Sequence, residues 1–492
     1  MKEARTQPEP EAPRVPRPGA ALAALAAAQF TVMLATSIVN VALPQIRAGV
    51  GLSDTGTTWV VNAYGLAFGA LLLAGGRAAD LLGRRPVLVA GLGLFAAASL
   101  SAGLASGPAL LIAARVGQGL AAAAIAPAAL ALALAQFPTR AGRGKALGVW
   151  GAVSGAGGAG GVLLGGLLTQ AGGWPWIFYS VALGAVLVLA AVAALVPDAG
   201  RPEPGRFDLL GTATVTLALT CLVWGLTGAR GAGWADARVL GALGAAALLL
   251  VAFAAIERRR PYALIPPGLL TTGRVAAGNL LMALLGSVWI ALFFFLPLYQ
   301  QQVLGSGPLA TGAGQLPLAA ANMLGASLAP RISRRLGVPA TVTGALLVEA
   351  AGLLWLARIS VDGSYVADIL GPSILVRLGL SVAFVQLTAL AVDGVPQRDA
   401  GLAGGLVNTT RQVGGAIGLA ALATLAGSVT AHTHRPPLEA LTYGYRTAFT
   451  VSAAILAATA LLALPLTRRT RRAEPGAAAP RQDRTTDHAP AT

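Results

Sequence analysis

"GRAADLLGRRP", residues 76–86, is the stretch from which the rest of the chain can be read. Gly76 and Gly83 bracket Asp80, and Arg84 and Arg85 follow at once. Before it runs "TWVVNAYGLAFGALLLAG" and after it "VLVAGLGLFAAASLSAGLA", each predominantly apolar. About 20 apolar residues on each side of a short charged loop is the pattern of a helical hairpin crossing roughly 30 Å of hydrocarbon. Gly76 permits close helix approach at a span end, and Gly83 permits a tight turn. Asp80 facing Arg84 and Arg85 sets opposite charges across the loop, a latch that can hold one conformation and release it when helices slide. The plainer alternative is a basic loop that only sets topology.

The same pattern repeats along the chain. Hydrophobic residues make up 55% and charged residues 11%, and mean hydropathy is +0.71. That composition belongs to an all-α polytopic membrane protein, not to a soluble domain. Fourteen transmembrane spans can be counted, the first over 20–42 and the tenth over 309–330. An even number puts both termini on one side. Most of the 35 Lys and Arg residues then fall in the loops and tails of that side, which the positive-inside rule makes cytoplasmic. The net charge of +16 is therefore explained by topology and lipid contact, with no nucleic-acid partner implied.

The organisation reads as a disordered cytoplasmic tail at 1–19 and a six-helix bundle at 20–195. Connectors and helices 7–8 follow at 196–272, then a second six-helix bundle at 273–467 and a disordered basic tail at 468–492. "VPDAGRPEPGRFD" and "IERRRPYALIPP" are the polar connectors. The halves echo one another: "GASLAPRISRRLG" after span 10 faintly repeats the 76–86 loop, and Arg115 in span 4 has a counterpart in Arg377 of span 12. Parallel repeats of this kind place a transport site at the bundle interface.

Several chemistries find no support. Cys221 is alone, and His432, His434 and His488 lie in a loop and a tail, so neither a disulfide nor a His-based metal site is expected. No cofactor and no enzymatic nucleophile–base constellation is expected either. "GAGGAG", 155–160, fits a dinucleotide fingerprint but lies inside an apolar span with no preceding strand. No phosphate-binding loop of the G-x-x-x-x-G-K-[ST] type occurs, so ATP is not the expected energy source.

Taken together, 76–86, "LIAARVGQGLAAAAIAP" (111–127) with Arg115, Gln118 and Gly119, and a span-5 glycine set resemble the major facilitator superfamily. That set is Gly148, Gly157, Gly161, Gly165 and Gly166, spaced for tight helix packing. "WPWIFYS", "FLPLYQQQVLGSGPLATGAGQLP" and "GLAGGLVNTTRQVGGAIGLA" are similar to the fourteen-helix drug:proton antiporter branch. The resemblance implies secondary active export of a small amphipathic drug or antibiotic, by alternating access, across the plasma membrane and coupled to protons. An uncoupled facilitator, a metabolite uptake or exchange carrier, and a transport-inactive membrane sensor are the alternatives. Abundant Ala, Gly and Arg suggest a GC-rich bacterial genome, consistent with a plasma-membrane location.

Three positions depart from the branch. "LATSIVNVALP" has Ala35 where it carries a membrane Asp, Val162 replaces a Pro, and Pro175 replaces an Arg. Ala35 and Arg115 both lie about 10 Å from the outer face at 1.5 Å per residue, so Arg115 meets no acid there. A buried Arg costs about 2.5–3.5 kcal/mol on insertion scales. Gln118, backbone carbonyls, cavity water or an anionic substrate group are its possible partners. Near mid-membrane stands Glu349, at a depth similar to Arg377; the two are read as a pair, either a coupling site or a fixed bridge between spans 11 and 12. Asp368 near an outer mouth is a weaker choice.

Met33, Thr36, Ser37 and Asn40 share one face of span 1 and are read as lining a cavity, with polar glue between helices as the alternative. From the other bundle Trp289 and Phe293, together with Asn279 and Tyr299, are further lining choices, with lipid-facing or core packing as the alternative. Arg411 is read as an anchor for the cytoplasmic end of span 13. A proton entering under 100 mV and one pH unit supplies about 3.7 kcal/mol. Exporting a cation spends about 2.3 kcal/mol of that. A passage so poor in acids therefore fits neutral, zwitterionic or anionic substrates better than dicationic ones.

Overall fold

A computed structural model describes residues 18–137, 139–197, 208–260, 263–265, 268–269, 273–395 and 400–469. The tails expected to be disordered lie outside these residues apart from their innermost few positions, as does most of the 196–208 connector. Fourteen long helices make up the described chain: α1 Pro18–Val50, α2 Asp54–Leu82, α3 Arg84–Gly103, α4 Pro108–Ala135, α5 Arg140–Gly172, α6 Pro175–Leu195, α7 Leu209–Ala232, α8 Ala237–Arg259, α9 Gly273–Gln302, α10 Leu316–Leu336, α11 Val338–Leu356, α12 Gly371–Val392, α13 Ala400–His432 and α14 Pro437–Arg469. No strand occurs among the described residues.

Local chemistry sets the helix ends. Ser53 accepts from Gly56 N at 3.0 Å to open α2, and Asp208 accepts from Gly211 N at 3.0 Å to open α7. Gly83 sits at φ 99°, which allows α2 to stop and α3 to start one residue later. Two expected spans are interrupted. The tenth is not one helix over 309–330: a short helix, Pro308–Ala313, is followed by α10 only from Leu316. Pro317 cannot donate into the turn before it, which favours a fresh start there. The twelfth begins as a π-helical turn, Tyr365–Leu370, before α12. Pro372 withholds one N–H at that junction, a common setting for a widened turn.

Thirteen of these helices are long and apolar enough to cross a membrane. The exception is α10, which carries Asn322, Ser327 and Ser333, with Arg331, Arg334 and Arg335 at its end. Asn322 lies on a face of this helix that lines a cavity.

The helices α1–α6 pack on one another, α2 chiefly on α4 and α1 on α5; α9–α14 form a similar group, with α9 on α13 and α11 on α12. The α1–α5 seam is close because Gly157 and Gly161 face α1: a Cβ on Gly157 would stand 2.8 Å from Met33 Cβ, and one on Gly161 2.8 Å from the Leu34 carbonyl. Gly165 faces the backbone of Ile38, and Gly166 faces Pro308 of the other group. Gly148 is a correction, since a Cβ there meets nothing within 4 Å. Outside both groups, α7 and α8 pair, and α7 lies along α2 and α13. Leu66 and Ala70 of α2, Leu219 and Val223 of α7, and Ala416 and Ala420 of α13 form one apolar cluster.

Candidate functional site: a central cavity between the helix groups

Between the two groups lies a cavity of about 360 Å³, within the range of small-molecule sites. Helix α1 supplies Met33, Thr36, Ser37 and Asn40, and α9 supplies Trp289 and Phe293. Residues 62, 64 and 65 of α2 and Gly151–Val162 of α5 add to the first side. Gln315, Asn322 and Met323 before and along α10, with Arg411 and Gln412 of α13, complete the second. Asn279 and Tyr299 are not at the cavity: Asn279 Nδ2 donates to Val275 O at 2.8 Å and Tyr299 Oη to Ser360 O at 2.7 Å.

The stripe on α1 is partly self-satisfied. Thr36 donates to Val32 O at 3.0 Å and contacts Tyr64 Oη at 3.3 Å, while Ser37 bonds back to the carbonyls of Met33 and Leu34, both at 3.3 Å. Bonds to i−4 carbonyls are the usual way a hydroxyl is carried in an apolar helix.

Charge at the cavity is entirely basic among its lining residues: Arg115, Arg377 and Arg411. Arg115 stands opposite the missing acid, and carbonyl oxygens take its place. Its Nε donates to Val60 O at 2.9 Å, and its Nη1 to Ala35 O at 3.3 Å and to Gln118 Oε1 at 2.8 Å. Gln118 in turn donates to Ser99 at 2.7 Å. Tyr64 covers the guanidinium face with its ring centroid 4.4 Å away. Bonds from a charged donor are worth about 1.5–3 kcal/mol each, so this set offsets the burial cost.

Arg377 differs. It is 4% exposed and packs 4.0 Å from the Phe293 ring centroid, yet its Nε has no hydrogen-bond partner. The expected Glu349–Arg377 pair is a correction: no contact within 4.0 Å joins them, although each feels the other's charge. Glu349 is fully buried with both oxygens unpartnered, its backbone and Cβ pressed against Gly379 of α12, and it does not line the cavity. Asp368 is turned back onto its own chain, accepting from Ser364 N at 2.8 Å.

Arg411 is a second correction. It is a lining residue, not a terminal anchor, with Trp289 5.1 Å beneath its guanidinium and Asn408 accepting from it at 2.7 Å. Its position eleven residues into α13 was the available signal, since that is about 16 Å of helix. Sequence reasoning also passed over Asn62, whose amide N and O are both buried without partners, and over Gln315 and Gln412, each with one such atom.

Polar contacts of the 76–86 loop run to its own residues and to the end of α6. Asp80 and Arg84 meet at 3.2 Å, and Arg85 donates to Val196 O at 2.8 Å and Ala193 O at 2.9 Å, capping α6. Close approach falls on Gly75, against the Ala123 carbonyl, whereas a Cβ on Gly76 would make only an ordinary 3.5 Å contact.

At one end the two groups are tied. Gln301 donates to Val41 O at 2.7 Å and is reached by Gln45 at 3.4 Å, and Leu309 N donates to Gln170 at 3.3 Å. All three bonds lie where α1, α5 and α9 finish.

The arrangement of two packed helix groups around an interfacial cavity can be set beside known proteins. A family model described as Major Facilitator Superfamily matches residues 25–419. The chain belongs to that superfamily. It is a multi-pass membrane transporter. Among curated relatives, the puromycin resistance protein of Streptomyces alboniger is 40% identical over 91% of each chain. The cephamycin export protein of Amycolatopsis lactamdurans is 38% identical over 93% of this chain and 94% of its own. The tetracenomycin C resistance and export protein of Streptomyces glaucescens is 34% identical over 84% of this chain and 76% of its own. A solved bacterial homologue of the human lysosomal transporter Spinster has the same fold at TM-score 0.67 and 16% identity, covering 93% of this chain and 98% of its own.

Proposed function

We propose that this superfamily member exports a small amphipathic organic compound, a drug or antibiotic, across the plasma membrane by alternating access. The observation that carries the reading is the cavity itself, lined from both helix groups and furnished with a few unpartnered polar atoms. The names of the relatives, which speak of puromycin resistance and of cephamycin export, support it. In this reading residues 20–195 and 273–467 are the two rocking halves, and both termini are cytoplasmic. The end tied by Gln301 and Gln170 is then the outer one. Asp80, Arg84 and Arg85 form the inner latch, with Asp80 paired to Arg84 and Arg85 bonded to the end of α6. Energy comes from the electrochemical gradient of the membrane, which has a proton and a voltage component.

Inverted membrane vesicles test it. Respiring vesicles containing the protein should take up one or more dyes of a fluorescent amphipathic panel in a saturable manner, and an uncoupler should abolish uptake. A panel that moves no faster than in vesicles lacking the protein would overturn the proposal.

A further inference from the structure

Resting on that reading, we infer that the cavity takes organic anions and that the membrane voltage alone expels them, without obligatory proton exchange. The lining of the cavity contains three guanidinium groups and no carboxylate. One of the three is committed: Arg115 is held by the carbonyls of Val60 and Ala35 and by Gln118. Arg411 is half committed, to Asn408. Arg377 lines the cavity, more than nine tenths buried, with an aromatic ring on one face and no hydrogen bond among the described residues, so its guanidinium is left uncommitted. Trp289 and Phe293, one helical turn apart on α9, floor Arg411 and Arg377 respectively. Two cations on an aromatic shelf are shaped for the oxyanion and flat body of an amphipathic acid. The unpartnered amide of Asn62 adds a neutral donor and acceptor opposite them.

The charged and titratable groups around Arg377 define the balance. Glu349 on α11 feels its charge from behind, outside the cavity, and Arg115 and Arg411 share the lining, with Tyr64 beside both. None of the lining groups is a carboxylate that could carry a proton across while an anion moves the other way. None is required. A cell interior negative by roughly 100 mV expels a monoanion to a ratio of ~50-fold by itself. Ala35 is therefore consistent with a carrier that has no use for a membrane acid in α1.

The test uses the full chain in proteoliposomes with dansylate, a permanently charged aromatic sulfonate, and ethidium as the cationic comparison. With valinomycin and a potassium gradient holding the lumen positive, dansylate should accumulate saturably, approaching ~50-fold for roughly 100 mV. A pH step with the voltage clamped at zero should drive no accumulation above the external concentration. Arg377→Gln should weaken dansylate binding at least tenfold while its unfolding midpoint stays near that of the parent, and Arg377→Lys should retain most of the binding. Dansylate uptake driven by the pH step alone would overturn voltage-only export. Ethidium moving on a proton gradient with dansylate ignored would overturn the anion inference and leave drug export standing. Failure of dansylate to bind or move while a dye of the vesicle panel is still taken up would overturn the anion inference alone, and failure of dansylate and of the whole panel would remove both readings.

Discussion

Arg115 on α4 and Arg377 on α12 occupy matching places in the two halves, face the same cavity and each lie over an aromatic ring. Their surroundings differ in one respect. Every hydrogen bond recorded for Arg115 runs to its own half, to carbonyls of α1 and α2 and to Gln118, so the cation fastens three helices together. Arg377 makes no hydrogen bond among the described residues, and Glu349, whose charge it feels, forms no ion pair with it. The same side chain in the same frame is thus a structural tie in one half and an open receptor in the other. What decides between them is whether the neighbouring backbone supplies acceptors, not the residue type.

The contrast can be broken in order of effect. Arg115→Met should cost about 3 kcal/mol of unfolding free energy or more, because it strips charged bonds from a buried site; a thermal shift under a degree or two would show that Arg115 ties nothing. Gly161→Ala should cost about 2 kcal/mol by wedging α5 off α1, the helix whose Ala35 carbonyl faces Arg115. Gly148→Ala is its control and should be neutral or slightly stabilising, since open space lies beside it. Arg377→Gln should leave stability within about 1 kcal/mol while dansylate affinity drops about tenfold, or 1.4 kcal/mol. Equal losses for the two arginines in both assays would erase the distinction. Glu349→Leu should stabilise by about 1 kcal/mol, since both its oxygens are desolvated and unpaired; destabilisation of that size would mean the carboxyl has a partner in the working protein. Ala35→Asp should have the smallest effect, lowering dansylate affinity severalfold by adding one negative charge near Arg115, as a binding titration would read.

The fold was legible because length and apolarity alone define a membrane helix. Met33, Thr36, Ser37 and Asn40 could be placed at the cavity for a similar reason: their common helix face is a matter of spacing. What escaped depends on rotation and depth. Gly75 and Gly76 differ by one residue, or about 100° of helix, and only the first meets α4 closely. Glu349 and Arg377 share a depth, but with α11 settled closely on α12 at Gly379 the carboxyl and the guanidinium form no ion pair. Arg411 reads as a terminal anchor from its motif "NTTRQVGGAIG", although its distance along α13 places it deep. Asn62 and Gln412 carry no motif at all, and only the packed structure reveals their unused polar atoms.

Helix α7 is fastened unevenly. Thr424 of α13 donates to the Leu226 carbonyl at 2.8 Å, whereas α2 meets α7 through greasy side chains such as Leu66 and Ala70. When the halves tilt, α7 should ride as luggage of the second half and skate over α2. The added pair would then steady one flank of the machine without ever having to unhook from it.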